Sequence, residues 1–149
     1  MIKGILAYTT PAITMGVEAF VNHGKNDVVA SNGIQKDTLN AIAQGVSVFV
    51  KGQVIKDKLG FFARFDSFNP DKNYNQFYNT YSGFTSAYAP NNKEIFITTG
   101  LDFVPAKNIH FLPSIWYNRY TSQQTNLTGS ALHDYDLVYR ITFFYTYGR

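Results

Sequence analysis

The sequence predicts an all-β protein: an antiparallel, up-and-down transmembrane β-barrel, with seven strands visible in these 149 residues. Three observations lead there. Apolar and polar side chains alternate with a period of two, the mark of strands whose two faces meet different surroundings. The alternating runs reach roughly 10 to 13 residues, whereas globular strands average about 5–6 and a tilted crossing of a bilayer takes about 9–11. Short turns and long polar connections succeed one another along the chain, an asymmetry usual in transmembrane barrels.

Each run is read from its own alternation. The first, Ile2 to Tyr8, is short and alternates imperfectly. In the second, Ala12 to Asn22, the residues Ile13, Met15, Val17, Ala19 and Val21 share one face, opposite Thr14, Gly16, Glu18, Phe20 and Asn22. The third, Ile42 to Val54, sets Val46, Val48 and Val50 against Gly45, Ser47, Phe49 and Lys51. The fourth sets Leu59, Phe61, Ala63 and Phe65 against Gly60, Phe62, Arg64 and Asp66. In the fifth, Ile95, Ile97, Thr99, Leu101 and Phe103 oppose Glu94, Phe96, Thr98, Gly100 and Asp102. In the sixth, Ile109, Phe111, Pro113, Ile115 and Tyr117 oppose His110, Leu112, Ser114, Trp116 and Asn118. The last run places Leu137, Tyr139, Ile141, Phe143, Tyr145 and Tyr147 on one side. Pro113 cannot donate to a ladder, so a local bulge is expected there.

Tyr8–Ala12, Val54–Leu59 and Val104–Asn108 read as tight turns carrying Pro, Asp, Lys or Asn. Three long polar stretches lie between them, at about His23 to Ala41, Asn69 to Asn92 and Thr121 to Asp134. All three fall at the same end of the sheet, which a soluble domain seldom shows.

Composition agrees. Aromatic residues make up 17% of the chain and charged residues only 15%, against roughly 25% charged in an ordinary soluble domain. The net charge of +3 is small and scattered, unlike the clustered Lys and Arg of a nucleic-acid interface. With no cysteine, disulfides and thiolate metal sites are excluded. No apolar run is long enough for a membrane-spanning helix, and the opening stretch to Glu18 lacks the pattern of a signal peptide.

The apolar face is then expected to meet lipid at Phe61, Phe65, Ile97, Leu101, Phe103, Phe111, Tyr117, Ile141, Phe143 and Tyr145. Aromatic rings on it gather near the two ends, as in the interfacial girdles of such barrels. The other face carries the pore-lining candidates Lys51, Arg64, Asp66, Glu94, Asp102, His110 and Arg140, with Lys3 and Glu18 beside them. Leaving histidine aside, these are four bases and four acids, so the balance favours neither anions nor cations. They either bias permeation or pair across neighbouring strands. Phe20, Phe49, Phe62, Phe96, Trp116 and Phe144 share the polar face, where they are expected to cover glycines such as Gly45, Gly60 and Gly100 or to lie under an infolded loop.

Leu59–Asn73, Phe96–Tyr120 and the final aromatic strand resemble the C-terminal half of outer-membrane porins of the Bacteroidetes type, relatives of the phosphate-selective O/P-like porins. The likeness covers roughly residues 42 to 149 and is strongest from Ile95 to Tyr120. It implies a passive channel for small hydrophilic solutes or ions, in contact with the lipid of a bacterial outer membrane. A homo-oligomer is compatible with it.

Seven is an awkward strand count, because bacterial single-chain barrels have an even number. The expectation is that residues 1–149 form one domain, incomplete at its N-terminus, from the C-terminal portion of a barrel of about 14 to 18 strands. Its signal peptide would lie upstream.

Catalysis finds little support. Asp102, His110 and Ser114 can meet across one hairpin, but no recognisable nucleophile spacing accompanies them. Glu94 and Asp102 stand about 26 Å apart on one strand at ~3.3 Å per residue, too far to share a metal. No enzyme activity, cofactor, metal or nucleic-acid partner is expected. Two other readings stay open: a soluble lipocalin-like barrel that binds an apolar small molecule, because alternation alone does not say which face points inward, and an outer-membrane barrel plugged by its own aromatics.

Overall fold

Period-two alternation becomes strand wherever it is well developed. The computed structural model describes residues 1–31, 34, 36–72, 74, 83–85, 92–122 and 134–147. Its strands are β1 (Ile2–Thr9), β2 (Ile13–Ser31), β3 (Lys36–Ile55), β4 (Leu59–Asn69), β5 (Gly83–Thr85), β6 (Asn92–Ala106), β7 (Ile109–Ser122) and β8 (Tyr135–Tyr145). They form one antiparallel sheet in the order β1-β2-β3-β4-β6-β7-β8, and the short β5 adds to β2. The seven expected strands are the seven on this path. The sheet is not closed, however: β1 and β8 are its edges. The closed wall is therefore absent from the described residues, because no strand in them pairs with the outer side of either edge.

The short turns are tied sideways as well as along the chain. Thr10 donates its N–H to the carbonyl of Ile13 at 2.8 Å, and Gln53 donates to Ala12 at 2.9 Å. Val104 donates to Lys58 at 2.9 Å, and Thr146 donates to Asn108 at 2.9 Å. Asp57 and Asn108 take left-handed backbone conformations, with φ of 58° and 66°, which Asp and Asn tolerate better than most residues.

Two expectations need correcting here. The polar stretch from His23 to Ala41 is mostly strand: β2 and β3 run on as a long hairpin of 19 and 20 residues, joined by residues 32–35. A register shift between Gly24 and Val28 interrupts it, where Asn26 has φ 54° and its N–H donates to Asn40 Oδ1 at 2.9 Å. Alternation fails as a signal in this hairpin because polar residues occupy both faces. Pro113, in turn, produces no bulge. The β6–β7 ladder skips Leu101/Pro113 and Asp102/Leu112 and resumes at Phe103/Phe111 in the same register, while Pro113 stays paired with Ile141 on β8. The missing N–H opens a gap on one side of the strand; the register shift lies further on, between Phe103 and Ala106.

The connection from β4 to β6 is anchored where it can be described. Asp71 is fully buried, and its Oδ1 accepts the N–H of Ile42 at 3.1 Å. Lys72 donates to the Ile42 carbonyl at 2.8 Å. Further along, β5 pairs with Val29–Ser31 on the side of β2 away from β3. Among the described residues, the buried apolar side chains are small: Ala41 at 6% exposure, Ala43 at 8%, and Pro70. The described part of this two-faced sheet has formed without a hydrophobic core.

Candidate functional site

Register decides which side chains share a face, because a slip of one residue would turn a whole strand over. Here the faces stay aligned across the path. Gly16, Phe49, Arg64, Thr98, Trp116 and Val138 form one row of directly opposed neighbours, and Glu18, Ser47, Asp66, Phe96, Asn118 and Asp136 form the next. A third row runs Thr14, Lys51, Phe62, Gly100, Ser114 and Arg140. All the pore-lining candidates, including Glu94, Asp102 and His110, fall on this face.

The opposite face is equally continuous. Val17, Val48, Phe65, Ile97, Tyr117 and Leu137 stand in one row, and Leu59, Phe103, Phe111 and Phe143 in another. Leu101 is 46% exposed, Ile141 67% and Phe143 72%. Phe65, Ile97, Phe103 and Tyr145 are exposed as well. Phe61, Phe111 and Tyr117 are half-buried, each beside a neighbour. Phe61 leans on Gly52, Phe111 meets Phe143 at a ring separation of 4.8 Å, and Tyr117 lies 6.0 Å from Tyr135.

On the polar face most charges are paired. Lys3 Nζ lies 2.8 Å from Glu18 Oε1 across β1 and β2. Arg64 donates through Nε to both carboxylate oxygens of Asp66, each at 2.9 Å, along the same strand. His110 Nδ1 sits 2.8 Å from Asp102 Oδ1 across β6 and β7, and its ring stacks on Phe144 at 4.4 Å, with 6° between the planes. Arg140 places its guanidinium carbon 4.2 Å above the Trp116 ring, and Phe96 meets the same indole edge-on at 5.8 Å.

The aromatics on this face cover glycines, as expected, though not at every predicted position. Phe20 lies over Gly45 and Phe62 over Gly100. Phe49 does the same at Gly16, which alternation did not single out. Gly60 has no ring above it; the backbone carbonyl of Gly52 and the side chain of Asp102 are its nearest neighbours. Phe20 also stacks with Phe68 at 6.1 Å. A Phe laid over a cross-strand Gly shields bare backbone, and only the missing Cβ makes room for it.

Of the trio Asp102, His110 and Ser114, the first two come together and the third does not. Ser114 stands opposite Gly100 and Arg140, about 13 Å along β7 from His110 at ~3.3 Å per residue. Among the described residues no group of three or more His, Asp or Glu side chains converges as a metal site. Asp71, which buries its carboxylate at the rim, was missed by sequence reasoning; the Asn69–Pro70–Asp71 turn was its signal. No family model matches this chain, and no curated protein or solved structure matches it either.

Proposed function

We propose that the chain forms part of the wall of an outer-membrane β-barrel that works as a passive diffusion pore for small hydrophilic solutes or ions. The observation that carries this reading is the pairing of a continuous, exposed aliphatic and aromatic face with a continuous polar face, in a sheet that buries almost no apolar side chain. In water such a face would cost roughly 25 cal/mol for each Å² left uncovered; in hydrocarbon that cost vanishes. A soluble lipocalin-like barrel requires the Ile97, Leu101 and Ile141 face to close around a core, with the ion pairs outward. The exposure pattern favours the reverse.

Dimensions support the same reading. The 11 residues of β8 extend about 33 Å at ~3.3 Å per residue. Tilted by about 40°, they cover roughly 25 Å of height, the apolar band of an outer-membrane barrel. Phe103, Phe111, Phe143 and Tyr145 gather toward the short-turn end, and Tyr117 and Tyr135 toward the other. Within such a wall the mechanism is passive: a wet lumen, with charge that is neutralised locally by Lys3–Glu18, Arg64–Asp66 and His110–Asp102.

A second reading has its own support. The packing of Phe20, Phe49, Phe62 and Trp116 on the polar face suits an interior filled by side chains, so that the barrel would serve as an anchor and not as a channel. Planar-bilayer recording separates the two. Stepwise ion conductance from folded, inserted protein is expected of the pore; insertion with no current ends that reading and leaves the plugged barrel.

A further inference from the structure

The short-turn end differs in charge from the rest of the molecule. Its described turn residues carry Lys56, Lys58 and Lys107, all exposed, and Asp57 as their only carboxylate. At the opposite end acids and bases alternate: Lys25 with Asp27, Asp71 with Lys72, Lys93 with Glu94. The backbones of the two turns that carry Lys56, Lys58 and Lys107 are tied down. Lys58 donates its N–H to Ile55 at 3.1 Å and accepts from Val104 at 2.9 Å, and Asn108, beside Lys107, accepts from Thr146. Lys58 and Lys107 come from two different turns, yet both line one cleft of about 560 Å³, whose wall also carries Lys51, Asp57, Asp102 and His110. Directly beside this basic rim, on the exposed face, runs the row Phe103, Phe111 and Phe143, with Tyr145 and Tyr147 in contact just beyond at 4.8 Å.

Rings at headgroup depth with ammonium groups one turn further out match the layering of a phospholipid surface, where rings take the interface and lysines reach the phosphates. We propose that Lys56, Lys58 and Lys107 form a contact surface for the headgroups of anionic phospholipids at the short-turn rim. The inference rests on the membrane reading and adds to it a leaflet and a lipid class. The occupant is a headgroup phosphate presented by a bilayer, not a dissolved anion: the lysines stand one turn beyond an exposed aromatic row, and such a row orders lipid, not solute. Charge complementarity of this kind gives about fivefold per lysine engaged, equivalent to ~1 kcal/mol, and weakens with salt.

The test uses the full chain, folded into phosphatidylcholine vesicles doped with spin-labelled phosphatidylglycerol or spin-labelled phosphatidylcholine, and reads the fraction of each label that is motionally restricted. Wild-type protein is expected to prefer phosphatidylglycerol several-fold at low salt. The Lys56→Gln/Lys58→Gln/Lys107→Gln variant should lose that preference, and the corresponding triple Arg variant should keep it. Equal restriction of the two labels by wild-type protein overturns the proposal, as does a preference that survives the Gln variant. If inorganic phosphate abolishes the preference where chloride of equal ionic strength does not, the site is one for free phosphate and the proposal also fails. Were neither label restricted, the membrane reading itself would fall; restricted lipid without headgroup preference removes this inference alone.

Discussion

At the residue scale, the contacts between phenylalanine and glycine separate two kinds of crowding. A Cβ added at Gly45 would meet ring atoms of Phe20 as its three nearest neighbours, and a ring can swing aside. One added at Gly100 would meet the carbonyl oxygen of Pro113 at 2.6 Å as well as Phe62 at 2.7 Å, and that backbone is held by pairing with β8. Overpacking of this sort costs about 1–3 kcal/mol. Gly45→Ala is therefore expected to lower stability by about 1 kcal/mol and to be rescued by Phe20→Leu. Gly100→Ala should cost about 3 kcal/mol, with no rescue from Phe62→Leu. Urea unfolding of protein folded into detergent micelles, run as two double-mutant cycles, measures both couplings. Equal rescue at the two sites would show that the Pro113 carbonyl yields as easily as a ring. The sequence places these aromatics and glycines on one face, but it does not say which ring covers which glycine, since that depends on a register the alternation leaves free.

At the element scale, legibility followed the contrast between faces. The strands with one apolar face, β4, β6, β7 and β8 in particular, have ends within a few residues of those read from alternation, whereas β5 falls in a stretch read as a polar connection. The β2–β3 hairpin beyond Asn22 reads as a loop because polar residues fall on both of its faces, which erases the period-two signal, although the backbone ladder continues past one register shift. A sharper cue was present: Asn32–Gly33 falls in the connection between β2 and β3, and that dipeptide is a strong hairpin signal. The Asp71 anchor belongs to the same scale, because it ties the β4–β6 connection to β3. Losing the acceptor leaves a half-buried Ile42 N–H without it, at about 1 kcal/mol. Asp71→Ala should therefore loosen that connection locally and speed proteolysis between β4 and β6, whereas Asp71→Asn retains a carbonyl oxygen for Ile42 and should resist. Limited proteolysis of the inserted protein compares them; identical cutting of both variants and wild type would mean that the hydrogen bond holds nothing in place. Pro113→Ala gives the complementary gain: a restored N–H facing β6 is expected to slow amide exchange at Leu101, and unchanged exchange would mean that the gap has another cause.

At the scale of the whole molecule, direction along the sheet constrains how the wall can close. Neighbours on the path β1-β2-β3-β4-β6-β7-β8 are antiparallel throughout, so β1 and β8 run the same way. Direct pairing between them would make a parallel seam. Antiparallel closure requires an odd number of further strands between those edges, whatever chain supplies them, and open edges in hydrocarbon cost several kcal/mol per unsatisfied backbone group. The consequence is measurable with paired cysteines, since the chain has none of its own. Gly4, Leu6 or Tyr8 on β1, each combined in turn with Tyr139, Ile141 or Phe143 on β8, samples several registers on the apolar face. In the membrane-inserted protein under mild oxidation, no combination is expected to give an intramolecular disulfide in high yield, because bridged residues need Cα atoms within about 7 Å. Efficient bridging at one pair, with its neighbours two residues away silent, would instead establish a direct parallel seam. The odd count of long strands would then be the native design, and the free edges on β1 and β8 would be partners to each other.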